Sequence, residues 1–534
     1  MGKWFALLGA LLGLAACAVK QPSSHAAPAQ AGVGTKPLAQ IHFSGAQSLQ
    51  ANTDLQTLRD ILQLPQTIRL RDQALGSLAT NAARGWAQGK RGAAGVSPTL
   101  IRPLLDDLYN FESHVEVCET QDGPPLCLLA VRAPREAAQR WSTNLWQAAS
   151  SAHGAQPKAA TLNGLNGWQV QQPKSFFGLF AKGEWTLVAS GPSAPRDAAL
   201  INTISKGSAA KKESFLSIIL SDRGLAQIPS LRSFAGLNLQ FTAEKDAVRT
   251  KGKLDLAQAF NGKITPWKIP TNTIRQPLFA FTAFNGASAW LSNSAALARL
   301  PVQRWPEQLF VWSERTSPFS VSAAANVGDA TNFVRSVHKT LVPEWNKTLK
   351  ENAWGEWSLV EEPLILGWRG LPIAIPFFRP AVAGDDGFVQ IGFFPASPGK
   401  DPVPAELLGQ IQGRSDLLMY DWEITEGRLF QLRPLRQLHL MATQSTIPDP
   451  QSAGESWLEA IQPKLGNTIT EVTLGSPKTL NVTRKSHVGL SAAELTTLAL
   501  WLQNTNFPAL QLDLTGGPVR RPSGKRPLPG APQP

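Results

Sequence analysis

The sequence predicts an α+β fold, two lobes of mostly antiparallel sheet packed with helices. Three observations carry that expectation. Short alternating stretches recur between turns rich in Gly, Pro, Asn and Asp, the pattern of hairpins. Amphipathic helical stretches interrupt them. Around residues 262 to 277 a run of Pro, Thr and Asn breaks the pattern, and the chain then restarts. With 534 residues, 43% of them hydrophobic and 17% charged, the chain is long enough for two to four domains and carries a folding composition.

The first twenty residues, MGKWFALLGALLGLAACAVK, come before any fold: Lys3 is a short positive region, Trp4 to Leu14 an apolar one, and Leu14-Ala15-Ala16 places small residues ahead of Cys17. The apolar run is short for a membrane span, which needs about 20 residues. LAAC resembles the lipobox of bacterial lipoproteins. That resemblance implies cleavage of residues 1–16, a lipid on Cys17, anchorage to a membrane and, because Ala18 rather than Asp follows the cysteine, the outer membrane facing the periplasm in a two-membrane host. Residues 17–36, rich in Ala, Pro, Ser and Gln, read as a flexible tether.

The first lobe is expected over 37–270. PLAQIHFSG is a strand, followed by helices near 54–62 and 67–86, and Ser97-Pro98 caps a third that carries Leu100, Ile101, Leu104, Leu105 and Leu108 on one face. FESHVEVC and CLLAVRA form a hairpin about QDGPP. Cys118 and Cys127 would face each other across it, and in an oxidising compartment they predict a disulfide. A helix from Pro134 buries Ala138, Trp141 and Leu145 and stops at Gly154. GLNGWQV, KGEWTLVASG and SFLSIIL are strands, with a short helix from Pro195 to Gly207, and LNLQFTAEKDAVRTKGKLDL is a second hairpin.

The second lobe is expected over 271–514. Its opening, QPLFAFTAFNGASAWL, echoes KPLAQIHFSGAQSL from Lys36, which raises a duplication. A hairpin (LFVWSERTSPFSVSAAA) leads to a long helix capped by Asp329 and kinked at Pro343, then strands at WSLV, PLILGW, LPIAIPFF and GFVQIGFF, and a helix from Pro404. DLLMYDWEIT alternates with bulk on both faces and so belongs inside a sheet. The last helix carries a capping box, Ser491 with Glu494, and a staple, Leu490 with Leu495. Residues 515–534 are a basic, Pro/Gly-rich tail. The segment KSHVGLSAAELTTLALWL resembles uncharacterised two-lobed bacterial envelope proteins, a resemblance that brings no activity.

The chemistry sought is largely missing. No GxSxG, HExxH or GxGxxG motif occurs, so no cofactor is expected. The seven histidines lie far apart, with His114 and His487 beside strand or cap elements, and no metal site is expected. The net charge is +12, but basic residues are scattered and not interleaved with aromatics, which excludes a nucleic-acid groove. Arg520, Arg521, Lys525 and Arg526 in the tail suit anionic headgroups or wall polymer. Two acidic sets remain as catalytic candidates. Glu344, Glu356, Glu361 and Glu362 lie among Trp345, Trp354, Trp357 and Trp368, the composition of a glycan cleft. Asp421 and Glu423 share one strand face and could split their pKa values. The expectation is a lipid-anchored envelope protein that binds or scaffolds other envelope proteins or wall polymer, with a glycan-processing enzyme as the alternative.

Overall fold

The computed structural model describes residues 36–87, 95–120, 124–173, 175–195, 198–206, 213–228, 231–275, 277–292, 305–314, 320–351, 354–370, 375–383, 386–393, 401–442 and 449–508. The expected lipidation site Cys17, the expected tether up to residue 35 and the expected tail over 515–534 lie outside them. Ten strands come from the first half: β1 (Pro37–Phe43), β2 (Ser113–Cys118), β3 (Leu126–Arg132), β4 (Lys158–Leu162), β5 (Leu165–Gln172), β6 (Ser175–Lys182), β7 (Trp185–Gly191), β8 (Leu216–Ser221), β9 (Phe234–Ala243) and β10 (Val248–Leu256). Ten more come from the second: β11 (Leu278–Asn285), β12 (Gln308–Glu314), β13 (Val321–Gly328), β14 (Glu356–Glu361), β15 (Leu364–Arg369), β16 (Phe377–Ala383), β17 (Asp386–Gly392), β18 (Leu417–Ile424), β19 (Asn467–Ser476) and β20 (Thr479–Ser486).

Every pairing is antiparallel, and together they make one continuous sheet in the order β4-β5-β6-β7-β3-β2-β1-β8-β9-β10-β20-β19-β18-β11-β12-β13-β17-β16-β15-β14. Adding ten to each strand number of the first half reproduces the second half, read from the other end. The α+β expectation therefore holds, and the two lobes are ten-stranded units that repeat one strand order.

The echo noted in the sequence marks the repeat in space. Phe43-Ser44-Gly45-Ala46 and Phe284-Asn285-Gly286-Ala287 both end a strand and enter a helix, and Gly45 and Gly286 both take positive φ, 85° and 70°. At Gly45 a Cβ would lie 2.4 Å from the carbonyl oxygen of Asn110, so only glycine fits. Each of these strands also carries a register shift at the same place, between Pro37 and Ala39 and between Leu278 and Ala280. With Phe43 set on Phe284, His42 matches Ala283. Because His42 pairs with Ser217 and Ala283 with Tyr420, Ser217 matches Tyr420. Continuing across the ladders, Ile218 matches Asp421, Leu220 matches Glu423, and Gly252 matches Arg484. At the β10–β20 joint Gly252 pairs with Val482 and Thr250 with Arg484. The match exchanges these two pairs, so a pseudo-two-fold axis passes through the central pair Lys251–Thr483.

The halves differ in where they hang their helices. In the first, Ala46–Ala51, Gln56–Leu62, Pro65–Ala87 and Pro98–Asn110 lie between β1 and β2; in the second, Thr425–Ala442 and Ala453–Ile461 lie between β18 and β19, and Ala492–Leu502 follows β20. These helices meet over the joint. Ile61 and Leu70 pack with Leu429, Trp457, Leu458, Ile461, Leu495 and Ala499, and Trp457 Nε1 donates to Thr67 Oγ1 at 3.0 Å. Beside them Ile218, Leu220, Leu237, Leu239, Leu254, Leu480 and Val482 bury one face of the central strands, each such side chain worth about 1.5–3 kcal/mol.

The segment expected to be a break is held in place. Trp267 Nε1 donates to the Arg414 carbonyl at 3.1 Å, the backbone N–H groups of Thr265 and Lys268 reach the side chains of Asn285 and Gln308, and Ile274 is fully buried. One further reading needs correction. The helix capped by Asp329 is two helices, Ala330–Thr340 and Val342–Glu351, split at Leu341 because Pro343 supplies no N–H to continue the ladder. Strand β6 and the helix Thr425–Ala442, which forms with Pro434 inside it, are elements that the sequence reading left out.

Candidate functional site

Asp421 and Glu423 sit on β18, between β11 and β19, and turn their carboxylates toward the helix layer. Both are buried, 4% and 6% exposed. Thr282 Oγ1 donates to Asp421 Oδ1 at 2.6 Å, and the N–H of Ala492, first residue of the last helix, donates to Glu423 Oε1 at 2.7 Å. A negative charge at a helix N-terminus is favoured by the orphan N–H groups there. On the same face Arg484 reaches back from β20. Its Nε donates to Thr470 Oγ1 at 2.8 Å, and its two terminal nitrogens grip Glu494 at 2.5 and 3.2 Å. Glu494 closes the capping box with Ser491 that the sequence predicted.

Burial decides the electrostatics. It pushes the Asp421 carboxyl above its ordinary range and, with the Asp421 charge second, raises Glu423 to about 7; it also holds the nearby Arg428 guanidinium below its usual value. Asp421 Oδ2 is buried without a hydrogen-bond partner. The repeat supplies an internal comparison: the matching first-half residues Ile218 and Leu220 are plain core, and Gly252 stands where Arg484 does. The fold can be completed with apolar side chains here, and the second half has built a charged network in their place.

The other acidic set does not converge. Glu356 and Glu361 occupy the two ends of β14, the last strand of the sheet, about 16 Å apart on opposite faces. Both are exposed: Glu356 pairs with Lys350 at 3.5 Å and Glu361 with Arg335 at 2.9 Å. Glu344 lies in the first turn of the helix Val342–Glu351, and Glu362 in the turn after β14. Trp357 packs tilted against Trp345 and stacks on Trp368, centroids 5.5 and 6.4 Å apart, with the first two rings against buried Val334, Val337 and Leu366. Trp354 is exposed. The aromatic and acidic composition is thus packing plus surface ion pairs.

The expected disulfide does not form. The β2–β3 register pairs Val117 with Cys127 and Cys118 with Leu126, so the two cysteines are one step out of line and their side chains leave opposite faces of the sheet. Cys118 packs with Leu126 and Leu128 and contacts Glu116 Oε1 at 3.3 Å, while Cys127 packs with Val115 and Val117.

Sequence reasoning missed a third cluster. His42 on β1 pairs directly with His114 on β2, ring centroids 4.5 Å apart, and Glu112 just before β2 reaches both: its Oε1 lies 3.0 Å from His42 Nε2 and 3.5 Å from His114 Nε2. These contacts, His114 first, hold the Glu112 carboxyl far below its usual range. The signal in the sequence was Glu112-Ser113-His114, but its partner lies seventy positions away.

No protein-family model matches the chain, and no curated protein matches it. Solved structures do, two of them crystal forms of TP0453. Crystal form III of TP0453 is 12% identical with a TM-score of 0.22, covering 44% of this chain and 80% of that one; crystal form I is 10% identical with a TM-score of 0.23, covering 45% and 100%. At those scores the likeness carries no functional argument.

A last feature is a surface. The face of β9, β10 and β20 turned away from the helices presents Gln240, Lys251, Lys253, Asn481, Thr483 and Lys485, all exposed. Arg249, partly buried beside them, leans on Glu244, and Lys253 on Asp255 at 3.3 Å, so the patch keeps a positive surplus centred on the pseudo-two-fold axis. Among the described residues no helix is long and apolar enough to cross a membrane.

Proposed function

We propose that this chain is a lipid-anchored protein of the bacterial envelope that works by binding rather than by catalysis, and that the exposed lysine-bearing face at the centre of its sheet holds an anionic polymer of the cell wall. The observation that carries the reading is that bare face. An antiparallel sheet can carry a face in water without a partner, and here the wet stretch is the central strands β9, β10 and β20, where the lysines gather. The acids weigh against an enzyme. Asp421 and Glu423 are committed to a threonine hydroxyl and a helix N-terminus, and Glu356 and Glu361 are too far apart to act on one bond. Anchorage rests on the LAAC segment at Cys17.

The surface is tested with the lipidated chain and wall polymer from its own envelope. Charge reversal at Lys251, Lys253 and Lys485 together should cut retention at least about tenfold at low salt, and wild-type retention should fall as salt rises, since exposed charges are screened over roughly 10 Å at 0.1 M. Retention unchanged in the variant, or wall-glycan turnover that disappears in Asp421→Asn, would overturn the reading. The anchor is tested separately by mass spectrometry of the mature N-terminal peptide, which should begin at an acylated Cys17; an unmodified terminus further along would refute it.

A further inference from the structure

We infer that His42, Glu112 and His114 form a binding site for a divalent zinc ion, with a fourth coordination position left to water or an anion. Three observations meet here. The first is the donor set. Two imidazoles and one carboxylate are zinc ligands, and three protein ligands are the complement of an open site, whereas closed structural sites use four. The second is spacing. Zinc sits about 2.0–2.2 Å from nitrogen and oxygen ligands, so in a tetrahedral site the donor atoms lie about 3.3 Å from each other. Glu112 Oε1 lies 3.0 and 3.5 Å from the two histidine nitrogens, and all three donor atoms fall within 4.8 Å of one another. Glu112 already stands at ligand spacing from both rings, and the two imidazoles would draw together toward about 3.3 Å to admit the ion.

The third observation is the repeat. Where the first half pairs His42 with His114, the second pairs Ala283 with Phe310, both fully buried and apolar, and Gln308 stands in the place of Glu112. Gln308 is occupied with the linker, its side chain bonded to the backbone of Lys268 and Pro266. The strand order is therefore complete with a hydrophobic pair at this position, and the imidazoles are an addition that folding does not require. The surroundings suit a ligand role. Trp185 lies against the His114 ring at 5.4 Å, and Arg132 Nη1 stands 3.7 Å from Glu112 Oε2, where it can orient the oxygen that does not face the histidines. His42 is 3% exposed and its Nδ1 has no hydrogen-bond partner, so its ring is fixed from the Nε2 side, while Glu112 and His114 open toward solvent and give the ion a way in.

The mature full-length chain in detergent, stripped with a chelator and titrated with zinc chloride, should bind one Zn²⁺ per chain. Glu112→Gln and His114→Gln should each weaken that binding at least about 100-fold, more than the 10–100-fold lost with an outer-shell partner. His487→Gln, whose ring instead accepts from the Gly466 N–H, should leave it unchanged. If a variant fails to fold, Co²⁺ loaded into the wild-type chain supplies the reading: absorption of a tetrahedral nitrogen and oxygen site supports the inference, and a thiolate charge-transfer band or an octahedral spectrum overturns it. So does failure of the wild-type chain to bind zinc, or equal binding by the folded Glu112→Gln/His114→Gln double variant.

Discussion

Glu423→Gln is expected to stabilise the protein by about 3 kcal/mol at pH 8 and to change it little at pH 4. The carboxyl titrates at 4.5 when unperturbed and at about 7 in the fold, chiefly because it is buried. Between those values the folded chain binds a proton that the unfolded chain has released. Stability linked to this group is thus fully present below pH 4.5, falls as pH rises, and is lost above about 7. Glutamine keeps an oxygen to accept from the Ala492 N–H and has no proton to lose, so the variant should show no such decline. Asp421, also raised by burial, adds to the slope in the same direction. Denaturant melts from pH 4 to pH 8 measure this, and a wild-type chain whose stability rises with pH over that window would show that Glu423 is not held in the way described.

The second large effect is at Arg484. Arg484→Leu leaves Glu494, 2% exposed, without the guanidinium that grips both of its oxygens, and removing one partner of a buried pair costs about 3–5 kcal/mol. Adding Glu494→Gln to the same chain should recover part of the loss, because glutamine serves a capping box and carries no charge to strand. A double-mutant cycle reads the coupling directly. Losses that simply add would mean that the two side chains do not act as a pair.

Local signals were legible in the chain and long-range ones were not. The capping box at Ser491 and Glu494, the strand-to-helix echo at Gly45 and Gly286 and the interior position of β18 all follow from residues a few places apart. The Cys118 thiol failed as half of a disulfide through a one-residue register, which the turn 119–125 does not disclose. The period of two put Asp421 and Glu423 on one face of a strand but could not say whether that face met water or helices. It met helices, because Thr425–Ala442 and Ala492–Leu502 return over it, the first of them despite the proline at 434. The zinc ligands needed the β1–β2 pairing, which spans a run of four helices.

The joint between β10 and β20 has a consequence for how far the architecture can extend. Each half offers the edge of its tenth strand to the other, and because the same edge is used from both sides the contact is isologous, as in a homodimer fused into one chain. Such a contact closes on itself. A third copy of the unit would find no free tenth-strand edge to join, whereas solenoid repeats joined head to tail can be added without end. The joint is thus saturated by two units, and among the described residues the strands at the rims of the sheet are β4 and β14, each joined to its neighbour as a short hairpin of five or six residues, the kind of terminus that discourages further edge-to-edge growth.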